Sequence, residues 1–212
     1  FIPLAAFAPV WGLQIGGNFS RSCSSFSPVS TPPSPPAYLA EQITLSGRDV
    51  FEHPGPQTKG TSVSFEEFDL PVPCLHVLQQ SGISKPTPIQ EQTYLSAQGG
   101  DDILGIAQTG TGKTLAFSLP TVCELAKTKP GPSRMLVLTP TRELAVQVHS
   151  VIEPLAKAMK LRSTCVYGGV GMQPQINALR RGADIIIATP GRLLDHIQQK
   201  TVRFSGLSIL VF

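Results

Sequence analysis

No stretch of the sequence reaches the roughly 20 consecutive apolar residues that a membrane-spanning helix needs. Residues 1–17 come nearest, but Pro3, Pro9 and several glycine and polar positions interrupt them, and the basic n-region of a signal peptide is missing. No membrane partner is expected. Cysteine is scarce and scattered. Cys23, Cys74, Cys123 and Cys165 form no CxxC pair, and none stands near a histidine at metal-ligand spacing. They are expected to be reduced thiols with packing roles. The four histidines, His53, His76, His149 and His196, show no HExxH-like spacing, which argues against zinc. Charge is also sparse. Seventeen Lys and Arg stand against fourteen Asp and Glu, and a net +3 is too small to imply a partner by itself.

What is present divides into two unequal parts. Residues 1–62 are rich in Pro and Ser, with PPSPP at 32–36 and RSCSSFSPVS at 21–30, and no helical or strand period persists in them. They read as a disordered arm. The first forty residues contain Arg21 but no acid, a composition faintly like an organelle transit segment. A cytoplasmic protein with a bland tail is the favoured expectation, with mitochondrion or plastid as the alternative.

Residues 63–212 are patterned differently. Short apolar runs, DDILGI (101–106), MLVLTP (135–140), LRSTCVY (161–167), DIIIATP (184–190) and LSILVF (207–212), alternate with helical segments near 113–127, 141–160, 173–181 and 192–199. This alternation predicts βαβ units and an α/β fold, a mostly parallel sheet flanked by helices. Runs that are apolar throughout, rather than alternating, fit strands covered on both faces.

Between the first run and its helix stands AQTGTGKT: Ala107, Gln108, Thr109, Gly110, Thr111, Gly112, Lys113 and Thr114. Glycines here let the backbone turn so that successive N–H groups converge on one point, and the following helix adds its positive end. Lys113 is placed to reach β- and γ-phosphates, and Thr114 to offer a hydroxyl to Mg²⁺. The strict P-loop pattern asks for Gly at position 107, where this chain has Ala. A chance Gly-rich turn is the competing explanation. No NKxD-type guanine reader and no LSGGQ-type signature accompany the loop.

Upstream, GISKPTPIQ (82–90) offers Gln90, whose amide complements the donor and acceptor of adenine's N6 and N7. Phe65 could cover a base by stacking. By itself the segment reads equally well as a Pro-rich turn before a helix. Downstream, PTREL (140–144), Gly168 with Gly169, and TPGRLLD (189–195) follow the second, third and fourth runs. All three fall at the edge where open α/β sheets bind ligands. Arg142 and Arg192 could donate to phosphates, while Thr141 and Thr189 offer hydroxyls or helix caps.

Taken in order, these landmarks closely resemble the DEAD-box RNA helicases over about residues 63–212. Phe65 and GISKPTPIQ match the Q motif (63–91), AQTGTGKT motif I, PTREL motif Ia, the glycine pair its own motif and TPGR motif Ib. Residues 167–195 look most like the RhlE-type bacterial subgroup. The resemblance implies a RecA-like P-loop NTPase domain that binds ATP and Mg²⁺. It implies that Phe65, Lys85 and Gln90 recognise adenine, and that residues 107–114 hold the phosphates, with Lys113 and Thr114 serving catalysis. It also implies that Pro140, Thr141, Arg142, Gly168, Gly169, Thr189, Pro190, Gly191 and Arg192 line an RNA path. RNA would then be bound through its backbone with little sequence preference, while protein partners stay unnamed. The alternatives are a nucleotide- or RNA-binding module without hydrolysis and another superfamily 2 helicase.

In the family the fifth strand is followed by Asp-Glu-Ala-Asp, and LSILVF is the last segment of these 212 residues. The fifth strand is therefore expected to have an open edge that invites association. Without the Mg²⁺-orienting Asp and the water-positioning Glu, a polypeptide of these 212 residues is expected to show no RNA-stimulated phosphate release. A coupled phosphate assay with and without RNA checks this, and stimulated release above background contradicts it.

Overall fold

The computed structural model describes residues 10–15, 49–52, 64–100, 102–129, 131 and 133–212. Its strands are β1 (Val10–Ile15), β2 (Asp49–Glu52), β3 (Ile103–Ile106), β4 (Met135–Leu138), β5 (Ser163–Val166), β6 (Ile185–Ala188) and β7 (Ile209–Val211). The helices are α1 (Val72–Gln80), α2 (Pro88–Gln98), α3 (Lys113–Lys127), α4 (Arg142–Ala158), α5 (Met172–Arg180) and α6 (Pro190–Gln198), preceded by a 3₁₀ turn over Phe65–Glu67. The strands form one sheet in the order β2-β3-β1-β7-β4-β6-β5. The five apolar runs are β3 to β7, so the expected alternation is the observed one.

The parallel core is β7-β4-β6-β5, in register from Met135 opposite Ile185 and Ile209, and from Ser163 opposite Ile185. Successive side chains on a strand point to opposite faces, and both faces here are covered. Met135, Val137, Ile185, Ile187, Ile209 and Val211 join the larger core, with Leu119 and Val122 of α3 and Val148 and Ile152 of α4. Leu136, Ile186, Ala188 and Val166 join the smaller core, with Leu179 of α5 and Leu193 of α6. Helices α1 to α4 thus cover one face, and α5 with α6 the other. This explains the unbroken apolar run Ile185–Ala188, in which every residue is buried.

Two segments of the arm that was expected to lack regular structure are strands. Asp49–Glu52 pairs parallel to β3. Val10–Ile15 lies antiparallel between β3 and β7, with Val10 opposite Ile106 and Leu13 opposite Val211. The open edge expected at β7 is therefore filled. The physical reason is the need of strand N–H and C=O groups for partners, met by VWGLQI, a segment rich in strand-favouring residues. The other expectations for residues 1–62, including Cys23, lie outside the described residues.

At the N-terminal ends of the strands a buried ion pair ties four elements together. The Arg134 guanidinium donates through Nε and Nη2 to Asp184 Oδ1 at 3.2 and 2.8 Å, and through Nη1 to Leu125 O and Thr128 Oγ1 at the end of α3. Asp184 Oδ2 accepts the Arg162 backbone N–H just before β5. Arg134 and Asp184 are 5% and 7% exposed. Removing one member leaves the other charged and buried, which costs about 3–5 kcal/mol. Arg134→Ala is expected to lose that much stability in urea-induced unfolding, with little recovery in Arg134→Lys, which cannot make the forked contact.

Candidate nucleotide and nucleic-acid site

The loop between β3 and α3 carries Gly110 at φ +82° and Gly112 at φ +87°, a left-handed conformation that glycine adopts without strain. At Gly112 there is a second requirement: a Cβ there would run into the Gln90 side-chain amide. Gly112 is also the N-cap of α3 and supplies no side-chain cap. The first N–H groups of a 15-residue helix are thus left facing the loop. Gln108, Thr109 and Gly110 are exposed, whereas Thr111 to Thr114 are half-buried. Ala107, in place of the expected glycine, is 3% exposed and belongs to the core.

Lys113 folds back over this loop. Its Nζ donates to Ala107 O at 2.5 Å and Gln108 O at 2.6 Å. Burial lowers its pKa from the ordinary value of 10.5. The ammonium is held by neutral carbonyls that a bound anion would displace.

Gln90 anchors the Q segment to the same loop. Its Oε1 accepts the Thr87 N–H at 3.0 Å, and its Nε2 donates to Gly112 O at 3.2 Å. The Thr87 hydroxyl donates to Thr111 O at 2.9 Å. Gln90 is 4% exposed. Lys85, on the connection before α2, is exposed. Phe65, expected to cover a base, lies in the fold rather than on its surface. It is 3% exposed, meets Phe68 edge-on with centroids 5.6 Å apart, and sits in the main core. Its ring gains more by burial than by waiting in water for a base, so in this conformation it is a packing residue.

The other landmarks gather at the same edge of the sheet. Thr141 caps α4, its Oγ1 accepting the Leu144 N–H at 3.2 Å. Arg142 lies over the Tyr167 ring at 5.2 Å and would crowd any side chain at Gly169, whose φ is +81°. Arg192 Nη1 donates to Val170 O at 3.0 Å, and its Nε pairs with Asp195. Thr189 is the N-cap of α6 and makes no side-chain cap bond. Pro140, Pro190, Gly168 and Gly191 are exposed, with open space around both glycines. The structure thus builds two clusters, Gln90 with the phosphate loop and Arg142 and Arg192 with the glycine loop. Among the described residues no hydrogen bond links one to the other.

A family model described as DEAD/DEAH box helicase matches residues 87–212. The chain belongs to the DEAD/DEAH box helicase family. Similar proteins include the pre-mRNA-processing ATP-dependent RNA helicase PRP5 of Mycosarcoma maydis, 42% identical over 79% of this chain and 14% of that protein. DEAD-box ATP-dependent RNA helicase 20 of Oryza sativa subsp. japonica is 41% identical, over 80% of this chain and 34% of that protein. The ATP-dependent RNA helicase DBP2 of Encephalitozoon cuniculi is 38% identical, over 99% and 41%. The chain therefore spans less than half the length of these relatives. A crystal structure of a DEAD box protein from Methanococcus jannaschii is similar at 34% identity with a TM-score of 0.59, covering 69% of this chain and 40% of that one. The fold is accordingly RecA-like, and DEAD-box helicases bind ATP.

Sequence reasoning missed the support that this helicase domain gives its glycine loop. Gln175 Nε2 donates to Tyr167 O at 3.0 Å, and its Oε1 lies 3.2 Å from His196 Nε2. His196 Nδ1 lies 2.7 Å from Thr201 Oγ1, and the ring is wholly buried. With the Gln175 amide nitrogen engaged at Tyr167, its oxygen faces the ring and Nε2 carries the proton, while the Thr201 hydroxyl sits between Nδ1 and the His196 carbonyl, to which it donates at 3.0 Å. The available signal was phase: His196 is three residues after the core Leu193 on the same helical face. Burial and the nearby Arg192 lower the His196 pKa from 6.5, and burial lowers that of His149.

The sign of the pH effect follows. Both folded-state values lie below 6.5, so the unfolded chain binds more protons as the pH falls through that value. Stability is intact above about pH 6.5 and is lost as the pH falls toward the folded-state values. The thermal midpoint is expected to drop between pH 7 and 5, and less steeply in His196→Asn, as differential scanning calorimetry across that range would show.

Proposed function

We propose that the chain is the nucleotide-binding part of an ATP-dependent RNA helicase, coupling ATP binding and hydrolysis to RNA binding and local strand separation in the full-length protein. The observation that carries this is the joining of Gln90 to the Gly112 carbonyl. It fixes an amide that can read a base against a loop that can hold phosphates, at the sheet edge that also presents Arg142 and Arg192.

Each residue then has a task. Gln90 keeps one amide N–H on Gly112 O and has the second, with a remaining lone pair on Oε1, for adenine. Lys85 lies on the same segment and would border the base. The backbone N–H groups of residues 109–114 and the open first turn of α3 would receive the phosphates. Lys113 would exchange two carbonyl acceptors for phosphate oxygens, a stronger charge-assisted contact. The described residues contain no group of three His, Cys, Asp or Glu able to hold a metal. The Thr114 hydroxyl would reach a Mg²⁺ bound with the nucleotide, which would neutralise charge on the phosphates. Thr141, Arg142, Gly168, Gly169, Thr189 and Arg192 would contact RNA phosphates and 2′-hydroxyls, which gives binding with little sequence preference.

Lys113→Ala is expected to weaken ATP binding at least tenfold, since a hydrogen bond to a charged group contributes about 1.5–3 kcal/mol, and to leave the thermal midpoint of the free protein within a few degrees. Isothermal titration with ATP checks this, and unchanged affinity defeats the nucleotide assignment. Arg142→Ala and Arg192→Ala are each expected to reduce the slope of log K against log salt for single-stranded RNA by about 0.7, read by fluorescence anisotropy over a salt series. Unaltered slopes in both variants remove the RNA path from this edge.

A further inference from the structure

Opposite the nucleotide edge, a cavity of about 380 Å³ opens beside β5. Its lining includes Glu153 and Lys157 of α4, Ser163 and Thr164 of β5, and Arg181 after α5, with Arg162 before the strand. Helices α4 and α5 pack on opposite faces of the sheet, so a cavity lined from both straddles the sheet's edge. Strand β5 is that edge, last in the strand order.

Three features converge there. Lys157, Arg162 and Arg181 are exposed, and none has an ion-pair partner among the described residues. Among the described residues Glu153 is the one acid in the lining, and it makes no ion pair with Lys157 one turn along α4. The cationic excess is therefore unneutralised. Second, the carbonyls of Arg162 and Val166 accept bonds from β6, at Asp184, Ile185 and Thr189. A parallel ladder alternates sides residue by residue, so Ser163 and Cys165 direct their N–H and C=O groups outward, and His149 of α4 lies against Ser163, its Nε2 3.1 Å from the hydroxyl and its ring in contact with the backbone. Third, no aromatic side chain among the described residues lines the cavity, and bases would find no stacking platform on these residues.

We propose that this edge binds an extended acidic segment of a partner protein, added as a further strand beside β5. The Ser163 N–H and both outward groups of Cys165 would supply main-chain hydrogen bonds, as in other strand additions. Lys157, Arg162 and Arg181 would meet acidic side chains above and below the strand, which selects for charge and favours rapid encounter. The site faces away from the phosphate loop, so a partner held there leaves the nucleotide edge free.

The test uses the 212-residue chain and a fluorescent octapeptide alternating Glu with Val. A second peptide has the same charge, with proline at every third position to prevent strand pairing. The alternating peptide is expected to bind, to lose at least thirtyfold in affinity against the R162E/R181E double variant, and to bind Lys113→Ala as it binds the unaltered chain. The proline-containing peptide is expected to bind at least tenfold more weakly. Circular dichroism of the double variant is expected to match that of the parent, since both arginines are exposed. Equal binding of the two peptides overturns strand addition in favour of charge alone. Undiminished binding to the double variant overturns the location. Displacement of the alternating peptide by an oligouridylate of equal charge, lost in the double variant, overturns the assignment in favour of nucleic acid.

Discussion

The contact between Arg134 and Asp184 is the constraint on which the rest of the domain depends. Each stands one residue before a strand, Arg134 before β4 and Asp184 before β6. Pairing them sets those two strands level. The Arg162 amide on the second carboxylate oxygen sets β5 level with them, and the Ser208 and Ile209 N–H groups on Arg134 O do the same for β7. Strands of three or four residues that start level also end level. The loops that follow β4, β5 and β6 are therefore presented side by side at the far edge. An ion pair buried this deeply is weak evidence for stability, because desolvation offsets much of its attraction. Its contribution is alignment, and an apolar replacement of similar size would lose the four-way hydrogen-bonded junction.

At the edge that carries Gly112 and the glycine loop, side chains hold the backbone in place. Gly112 permits both the left-handed turn and the close approach of Gln90, so one residue satisfies two demands that no other residue type could meet. At the glycine loop, Gln175 reaches from the smaller core to hold the Tyr167 carbonyl and is itself held by His196, while Arg142 and Arg192 touch the loop from above. The glycine loop is thus held from two sides, although its glycines have open space or a positive φ.

Much of this was legible in the sequence because the chemistry demands local patterns. Lys113 had to begin a helix directly after the glycine turn, and α3 starts there. Apolar runs such as Ile185–Ala188 announced strands covered on both faces. The losses have equally physical causes. Phe65 is buried beside Phe68, a packing contact that its type and spacing in the sequence do not announce. His196 and Gln175 lie 21 residues apart on different helices, so their pairing is a tertiary fact. The strand over Val10–Ile15 was hidden among prolines and serines because pairing with β3 and β7 is entirely non-local.

That inserted strand has a mechanical consequence. It hydrogen-bonds on one side to the strand that carries the phosphate loop and on the other to β7, and runs opposite to both. The two strands never touch, and whatever displaces the six residues between them parts two ladders at once. Through β3 the same six residues are joined to the strand that leads into the turn holding Gly110 and Gly112.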